Sequence, residues 1–217
     1  MVRRHYDEQL QALHAALIEM GEMISGAIGR AVSALLARDA ESAREVIAYD
    51  EEIDRQERAV EALCYKLLLS QQPVAGDLRR VSSALKIITD MERIGDHAAD
   101  ISEPTLMLRE LPVMSNAHLR EMAAQTTQML LSSLEAYVSQ DMEKANAVIA
   151  QDDAVDALFV AVKKDLVEAI LADPKAGETA ADLLMAAKYF ERIGDHATNV
   201  AEWAIFAHPG HHVGEGI

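Results

Sequence analysis

The chain has 217 residues, a net charge of −16, and 50% hydrophobic but only 4% aromatic residues. The negative charge argues against nucleic-acid binding and against adhesion to anionic lipid, because both need clustered Lys and Arg. Few Gly and Pro, 10 and 5 residues, are typical of an all-helical protein. The single cysteine excludes an intramolecular disulfide. With no apolar run near 20 residues and no signal-peptide core, this predicts a cytoplasmic protein.

Three long helices are predicted in the first half of the chain. Asp39 is placed to cap the second helix, with Glu41 in its first turn, where the helix dipole favours an anion. Pro73 ends the second helix, because the residue before a proline is excluded from the α region, and Pro104 kinks or ends the third. The predicted helices cover about 5–37, 39–70 and 76–104.

The second half of the chain repeats the first. The six residues ERIGDH occur at 92–97 and again at 191–196, and upstream the segment 35–54 aligns with 137–156. A match of this length indicates a tandem duplication, with copies of roughly 100 residues. Asp141 repeats the Asp39 cap. The predicted linker is 111–116, and the predicted helices of the second copy cover about 117–139, 141–171 and 174–206.

Apolar residues at alternating spacings of three and four predict how these helices pack. In the third helix the stripe includes Leu78, Val81, Leu85 and Ile88. Such stripes are typical of long antiparallel bundles. We therefore predict an all-α fold of two tandem three-helix bundles, with a first domain at 1–111 and a second at 112–217 that ends in a loose, histidine-containing tail.

Carboxylates interrupt the stripes at equivalent positions of both copies. Glu92 and Asp96 are four residues apart on the third helix, and Asp100 follows one turn later, so the three side chains stack on one face. Burying unpaired carboxylates costs several kcal/mol each, so a compensating charge is expected. The same spacing recurs on the second, fifth and sixth helices, at Asp50 and Asp54, Asp152 and Asp156, and Glu191 and Asp195.

A bound cation is one possible compensating charge. Acidic, all-oxygen sites suit magnesium, calcium, manganese or oxidised iron. The predicted helices contain no His-x-x-x-His, and the chain has no cysteine pair and no Glu-x-x-His on one face, which disfavours a soft zinc site or a di-iron oxidase site. The alternative is that the acids pair with basic side chains along exposed edges, namely Arg55, Lys86, Arg93, Lys188 and Arg192.

Two other residue types recur beside the acids. His97 and His196 lie about 100° around the helix from the acidic face, so we expect them to form hydrogen bonds that flank the site rather than to be ligands. Gly95 and Gly194 each cost about 1 kcal/mol relative to Ala within a helix. Their repetition predicts close approach by a neighbouring helix or a bound ion.

The chain closely resembles the PhoU family of phosphate-uptake regulators. The resemblance is carried by PVAGDLRRVSSALKIITDMERIGDHAADI (73–101), by YFERIGDHATNVAEW (189–203) and by the four aspartates of the second and fifth helices, and it covers about residues 5–206. It implies two acidic surface sites that bind metal ions, with iron, manganese, magnesium and zinc as candidates. The implied first site is Asp50, Asp54, Glu92, Asp96 and Asp100, and the second is Asp152, Asp156, Glu191, Asp195 and Asn199.

The resemblance implies regulation rather than catalysis. Proteins of this family couple the high-affinity phosphate ABC transporter to a sensor histidine kinase, contact the ATPase subunit of the transporter, and restrain the phosphate-starvation response when phosphate is plentiful. We expect a homodimer that neither binds nucleic acid nor inserts into membranes. Two alternatives stay open: a carboxylate-bridged metalloenzyme such as a phosphatase or oxidase, and a metal-free helical interaction module.

Overall fold

The computed structural model describes residues 2–70, 75–107 and 117–208, and all regular structure in these ranges is helical. Two 3₁₀ turns, Glu103–Leu106 and Pro174–Ala176, accompany six long α-helices. This confirms the predicted all-α class. The helices are α1 (Val2–Ala37), α2 (Ala40–Ser70), α3 (Ala75–Ser102), α4 (Ala117–Ser139), α5 (Met142–Ala172) and α6 (Gly177–Ala207).

Prolines explain the end of the third helix and the start of the sixth. The third helix ends at Ser102, directly before a 3₁₀ turn that contains Pro104, which confirms that this proline ends the helix. The sixth helix begins at Gly177 rather than near Pro174, because Pro174–Ala176 forms a 3₁₀ turn in which the Lys175 N–H donates to the Asp173 side chain. The predicted linker at 111–116 and almost all of the tail lie outside the described residues, as does Pro73.

The turns that join α1 to α2 and α4 to α5 have the same construction. The Asp39 carboxylate accepts the backbone N–H groups of Glu41 and Ser42 at 3.1 Å. Asp141 accepts from the Lys144 N–H at 2.9 Å, so both predicted caps are confirmed. Before each cap lies a residue with positive φ, Arg38 (57°) or Gln140 (58°). The duplication therefore preserves a left-handed helix end without using glycine.

α3 and α6, the helices that contain ERIGDH, pack against each other between the two bundles. They run antiparallel, since Asp90 meets Asn199 while His97 meets Tyr189. Their fully buried side chains include Met91, Ile94 and Ala98 on α3 and Phe190, Ile193 and Ala197 on α6. Leu78, predicted to be in the stripe, is instead 47% exposed near the start of α3. No helix in the described ranges is long and apolar enough to cross a membrane.

Candidate metal sites and the seam between the repeats

Each acidic face is built where a glycine lets two helices come close. A Cβ on Gly95 would lie 3.0 Å from Ile53 Cγ2 and 3.7 Å from Asp50 Oδ1. A Cβ on Gly194 would lie 3.2 Å from Asp152 Oδ1. The missing side chains therefore seat an aspartate of α2 or α5 against the backbone of the ERIGDH helix. This confirms the predicted close approach and identifies the neighbouring helix as its cause.

The first acidic face holds carboxylates that repel one another. Burial, and then the charges of Asp96, Asp54 and Asp100, raise the pKa of Asp50 to about 6. Burial and Asp96 also raise the pKa of Glu92. Asp50 lies on α2 and Asp96 on α3, so the charge of one helix acts on a carboxyl of the other, in agreement with the position of Asp50 against Gly95 of α3.

The second face repeats this arrangement on α5 and α6. The pKa of Asp152 is raised by burial first and then by Asp195 and Asp156. Burial and the charge of Glu191 raise the pKa of Asp195, and the charge of Lys188 partly counteracts this rise. The charge of Asp195 on α6 thus acts on Asp152 of α5 as that of Asp96 on α3 acts on Asp50 of α2, as the duplication predicts.

Basic side chains neutralise part of this charge. Arg93 lies 3.2 Å from Asp96 and 3.5 Å from Glu92, but its side chain is 57% exposed, so these pairs stabilise little. Arg58 lies 3.6 Å from Asp54, and Lys188 pairs with Glu191. The pairing predicted for Arg93 and Lys188 is therefore observed. Of the other predicted cations, Arg55 pairs with Glu52, and Arg192 lies over the ring of Tyr189.

The acids suit a hard cation in chemistry but do not enclose one. Their oxygen donors are those that Mg²⁺, Mn²⁺ and oxidised iron prefer, and Gly95 and Gly194 let one donor in each copy lie close to the ERIGDH helix. Within the described ranges, however, no group of three or more His, Cys, Asp or Glu is arranged to hold a metal ion. A cation would have to draw the side chains together, so the ligand roles stay predictions.

The two histidines lie in the seam, which we define as the α3–α6 contact around His97 and His196. His97 Nδ1 is 3.0 Å from Asp100 Oδ2 on its own helix. His196 Nδ1 is 2.8 Å from Asp90 Oδ1 on the opposite helix, and Asn199 Nδ2 donates to the same oxygen at 3.0 Å. The ring centroids of the histidines are 5.8 Å apart. The histidines therefore form flanking hydrogen bonds, as predicted.

The family model described as the PhoU domain matches the chain twice, over residues 17–105 and 119–204. The chain belongs to the PhoU family. The two PhoU-domain matches fall on α1–α3 and α4–α6. They agree with the two predicted three-helix bundles.

The PhoU relatives match almost the full chain. The phosphate-specific transport system accessory protein PhoU homolog of Clostridium acetobutylicum is 34% identical and covers 98% of both chains. The homolog of Caulobacter vibrioides is 34% identical, over 92% of this chain and 87% of its own. The crystal structure of PhoU from Pseudomonas aeruginosa superposes with a TM-score of 0.86 at 30% identity, covering 93% of this chain and 98% of that one.

The two PhoU domains differ at the positions that build the seam. Asp90 of the first domain corresponds to Tyr189 of the second, and Asp100 corresponds to Asn199. Each histidine nevertheless contacts one carboxylate, because His97 is hydrogen-bonded to Asp100 and His196 to Asp90. A second aspartate at 199 would face Asp90 with like charge. The amide at 199 is therefore explained by the seam.

Sequence comparison of the two copies did not single out Asp90. The feature that could have identified Asp90 is that the two copies differ at this position, where the second copy has Tyr189. The ring centroid of Tyr189 lies 5.4 Å from that of His97. Asn199, by contrast, was predicted as a ligand of the second site. Since its amide nitrogen is bonded to Asp90, only its oxygen could serve a metal.

Proposed function

We propose that this protein regulates phosphate uptake and the phosphate-starvation response as an adaptor rather than an enzyme. The observation that carries the proposal is the match of the PhoU domain to both halves of the chain, together with relatives called phosphate-specific transport system accessory proteins. The acids lie along helix faces, where the side chains of Asp54, Glu92 and Asp96 are 39%, 30% and 32% exposed, and this surface position supports an adaptor over a metalloenzyme, which needs an enclosed site with an open metal position.

The partners that we propose are the ATPase subunit of the phosphate ABC transporter and the sensor histidine kinase of the phosphate response. Contact with both would let the protein hold the kinase in its repressing state when phosphate is plentiful. We further propose that it works in the cytoplasm as a homodimer. A net charge of −16 favours basic surfaces on these partners.

The two acidic faces are the proposed cation sites. In the first, Asp50, Asp54, Glu92 and Asp96 would supply carboxylate oxygens, with Asp100 shared with the seam. The equivalent acids of α5 and α6 would form the second. A bound ion would offset the burial and the like charges that raise the pKa of Asp50, so it would stabilise the contact between α2 and α3. Iron, manganese, magnesium and zinc are the ions to test.

A deletion strain tests the regulatory proposal directly. We expect phosphate-starvation genes to stay expressed in high phosphate when the protein is absent, and restoration of the gene to re-establish repression. Normal repression in the deletion strain would contradict the adaptor role. Turnover of phosphate esters by purified protein, lost on Asp96→Asn, would instead support an enzyme.

Metal analysis of protein purified without chelator tests the cation sites separately. We expect bound metal in the wild type and less in a variant combining Asp50→Asn with Asp96→Asn. Glu168→Gln, which removes an exposed acid of α5 outside the sites, should retain the wild-type content. A metal-free wild type that still represses the response would favour the plain interaction module, whose acids bind basic patches on partners.

A further inference from the structure

The outer face of α5 presents an exposed apolar stripe. Val160, Val167 and Leu171 are 64%, 49% and 78% exposed, and Ile170 beside them is 36% exposed. Scattered exposed apolar residues are ordinary, but an aligned row marks a contact surface. With Ala157 and Lys164 these residues are spaced alternately by three and four, which is the pattern of a helix–helix seam. We define the α5 stripe as Ala157, Val160, Lys164, Val167 and Leu171.

The first repeat provides an internal control for the first half of the stripe. At the equivalent positions α2 carries Arg55 and Arg58 in place of Ala157 and Val160, and the side chains of both arginines are 58% exposed. The second half is exposed and apolar in both repeats, since Tyr65 and Leu69 stand in place of Val167 and Leu171. The same fold is therefore built with charged residues at the first two positions. Folding of the three-helix bundle does not require Ala157 and Val160 to be apolar, which points to a contact outside the bundle.

Lysines give the stripe a charge opposite to that of the whole protein. Lys164 lies within the stripe and Lys163 beside it, in a chain with only 20 Lys and Arg against 36 Asp and Glu. The Lys164 side chain is 77% exposed, and its ammonium lies 3.8 Å from Glu168. An exposed pair of this kind contributes little, so a carboxylate from a partner could replace Glu168 at small cost. The stripe therefore suits an acidic partner.

A second copy of the chain fits the stripe poorly. In a symmetric antiparallel pair of α5 helices, residues 157 and 171 of opposite copies would meet, and Lys164 would face its own equivalent at the centre. Like charges at the centre of an apolar contact are unfavourable. The occupant with complementary charge is a helix that carries an acid at this point.

We propose that the α5 stripe docks an amphipathic helix of another protein, with apolar residues at alternating spacings of three and four and an Asp or Glu opposite Lys164. This mode of recognition places the apolar face of a helix on a complementary surface and uses the flanking charges for orientation. The inference rests on the proposed adaptor role, which requires a protein partner. It does not depend on metal binding.

Site-specific photocrosslinking in the native host tests the docking surface. A photoreactive amino acid replaces Val160 in one strain and Arg58, its equivalent on α2, in the control strain. We expect crosslinks from position 160 to exceed those from position 58 by about tenfold. The crosslinked peptide should contain the amphipathic, acidic pattern. Crosslinks to lipid or to a second copy, or equal yields at the two positions, would overturn the proposal.

Charge exchange distinguishes docking from incidental capture. Lys163→Glu combined with Lys164→Glu should reduce the crosslink by about tenfold, and an acid-to-lysine change in the captured segment should restore it. Loss without restoration would overturn the proposal.

Val160→Arg provides a second test of the docking surface, because Arg58 at the equivalent position of α2 shows that this fold accepts arginine there. Val160→Arg should melt like the wild type and lose repression of the phosphate-starvation genes. Normal repression by this variant, in a host where the deletion strain is derepressed, would overturn the proposed docking surface without contradicting the adaptor role.

Discussion

His196 Nδ1 lies 2.8 Å from Oδ1 of Asp90, so one hydrogen bond joins the second repeat to the first. An ionised carboxylate only accepts hydrogen bonds, so the imidazole Nδ1–H is the donor. The same oxygen accepts from the Asn199 amide at 3.0 Å. The Asp90 side chain is 15% exposed, and charge-assisted bonds in such surroundings are strong. Asp90 therefore holds α3 to α6 through two donors on the opposite helix.

We predict that Asn199→Asp destabilises the protein by about 1–3 kcal/mol, because it replaces a donor to Asp90 with a second carboxylate. Asp90→Asn in the same chain should recover part of this loss, since an amide at position 90 can donate to the new acid. The expected coupling in the double-mutant cycle is about 0.5–3 kcal/mol. Urea unfolding at neutral pH, without divalent ions, measures all four proteins.

The matched control is Asn146→Asp on α5, an exposed asparagine whose amide donates to the backbone oxygen of Met142 on its own helix. It should change the free energy of unfolding by less than about 0.5 kcal/mol. Additive effects of the changes at 90 and 199 would contradict the assignment of Asn199 to the seam.

Gly95→Ala and Gly26→Ala should change stability in opposite directions. Within a helix each replacement gains about 0.5–1 kcal/mol from backbone propensity. A Cβ on Gly26 meets nothing within 4 Å, so we expect that variant to be more stable than the wild type. A Cβ on Gly95 lies 3.0 Å from the branched side chain of Ile53, and overpacking of this kind costs about 1–3 kcal/mol. Thermal melts of both variants give the comparison, and equal stabilisation would show that α2 can move aside freely.

Much of the fold could be predicted because the duplication repeats its local signals. Asp39 and Asp141 mark the same helix start, and the ERIGDH block marks the same helix in both copies. The left-handed residues Arg38 and Gln140 could not be predicted, since neither side chain favours positive φ and glycine is the usual choice there. Their conformation is imposed by the helices on either side of the turn.

The candidate site was predictable only in part. Spacing of four correctly placed Glu92 and Asp96 on one face, because helix geometry alone decides that relationship. It could not show that α3 meets α6, because the contact joins residues roughly 100 positions apart. The seam partners Asp90 and Asn199 depend on that packing. The resemblance to the PhoU family implied Asn199 as a ligand but could not show that its amide nitrogen bonds to Asp90.

We predict that Asp50→Asn stabilises the metal-free protein at neutral pH. The pKa of Asp50 is raised from an ordinary 3.8 to about 6, so the folded state binds more protons than the unfolded state between these values. The contribution of Asp50 to stability is therefore full below about pH 4 and is lost as the pH rises through about 6. The melting temperature of Asp50→Asn relative to wild type should be higher at pH 7.5, and the difference should vanish near pH 4.

Asp7→Asn, at an exposed aspartate of α1, is the control for this experiment and should follow the wild type at every pH. Addition of Mn²⁺ at pH 7.5 should favour the wild type over Asp50→Asn, because only the carboxylate is an anionic ligand. A difference that does not depend on pH would show that ionisation of the partly buried Asp50 carboxyl is not its cause.

The two acidic faces should bind cations with different affinity. A hard cation gains affinity from each anionic oxygen, and an amide oxygen supplies a dipole without a charge. The first face has Asp100 as an additional anionic ligand. The second face has Asn199 at the equivalent position, and its amide donates a hydrogen bond to Asp90. Competition titration with a weak chelator compares Glu92→Gln with Glu191→Gln. We expect the tighter class of ions to disappear in Glu92→Gln and to remain in Glu191→Gln.

The opposite result would show that the number of charges does not set the affinity. In that case the pairing of Glu191 with Lys188 and of Glu92 with Arg93 would be the next difference to test.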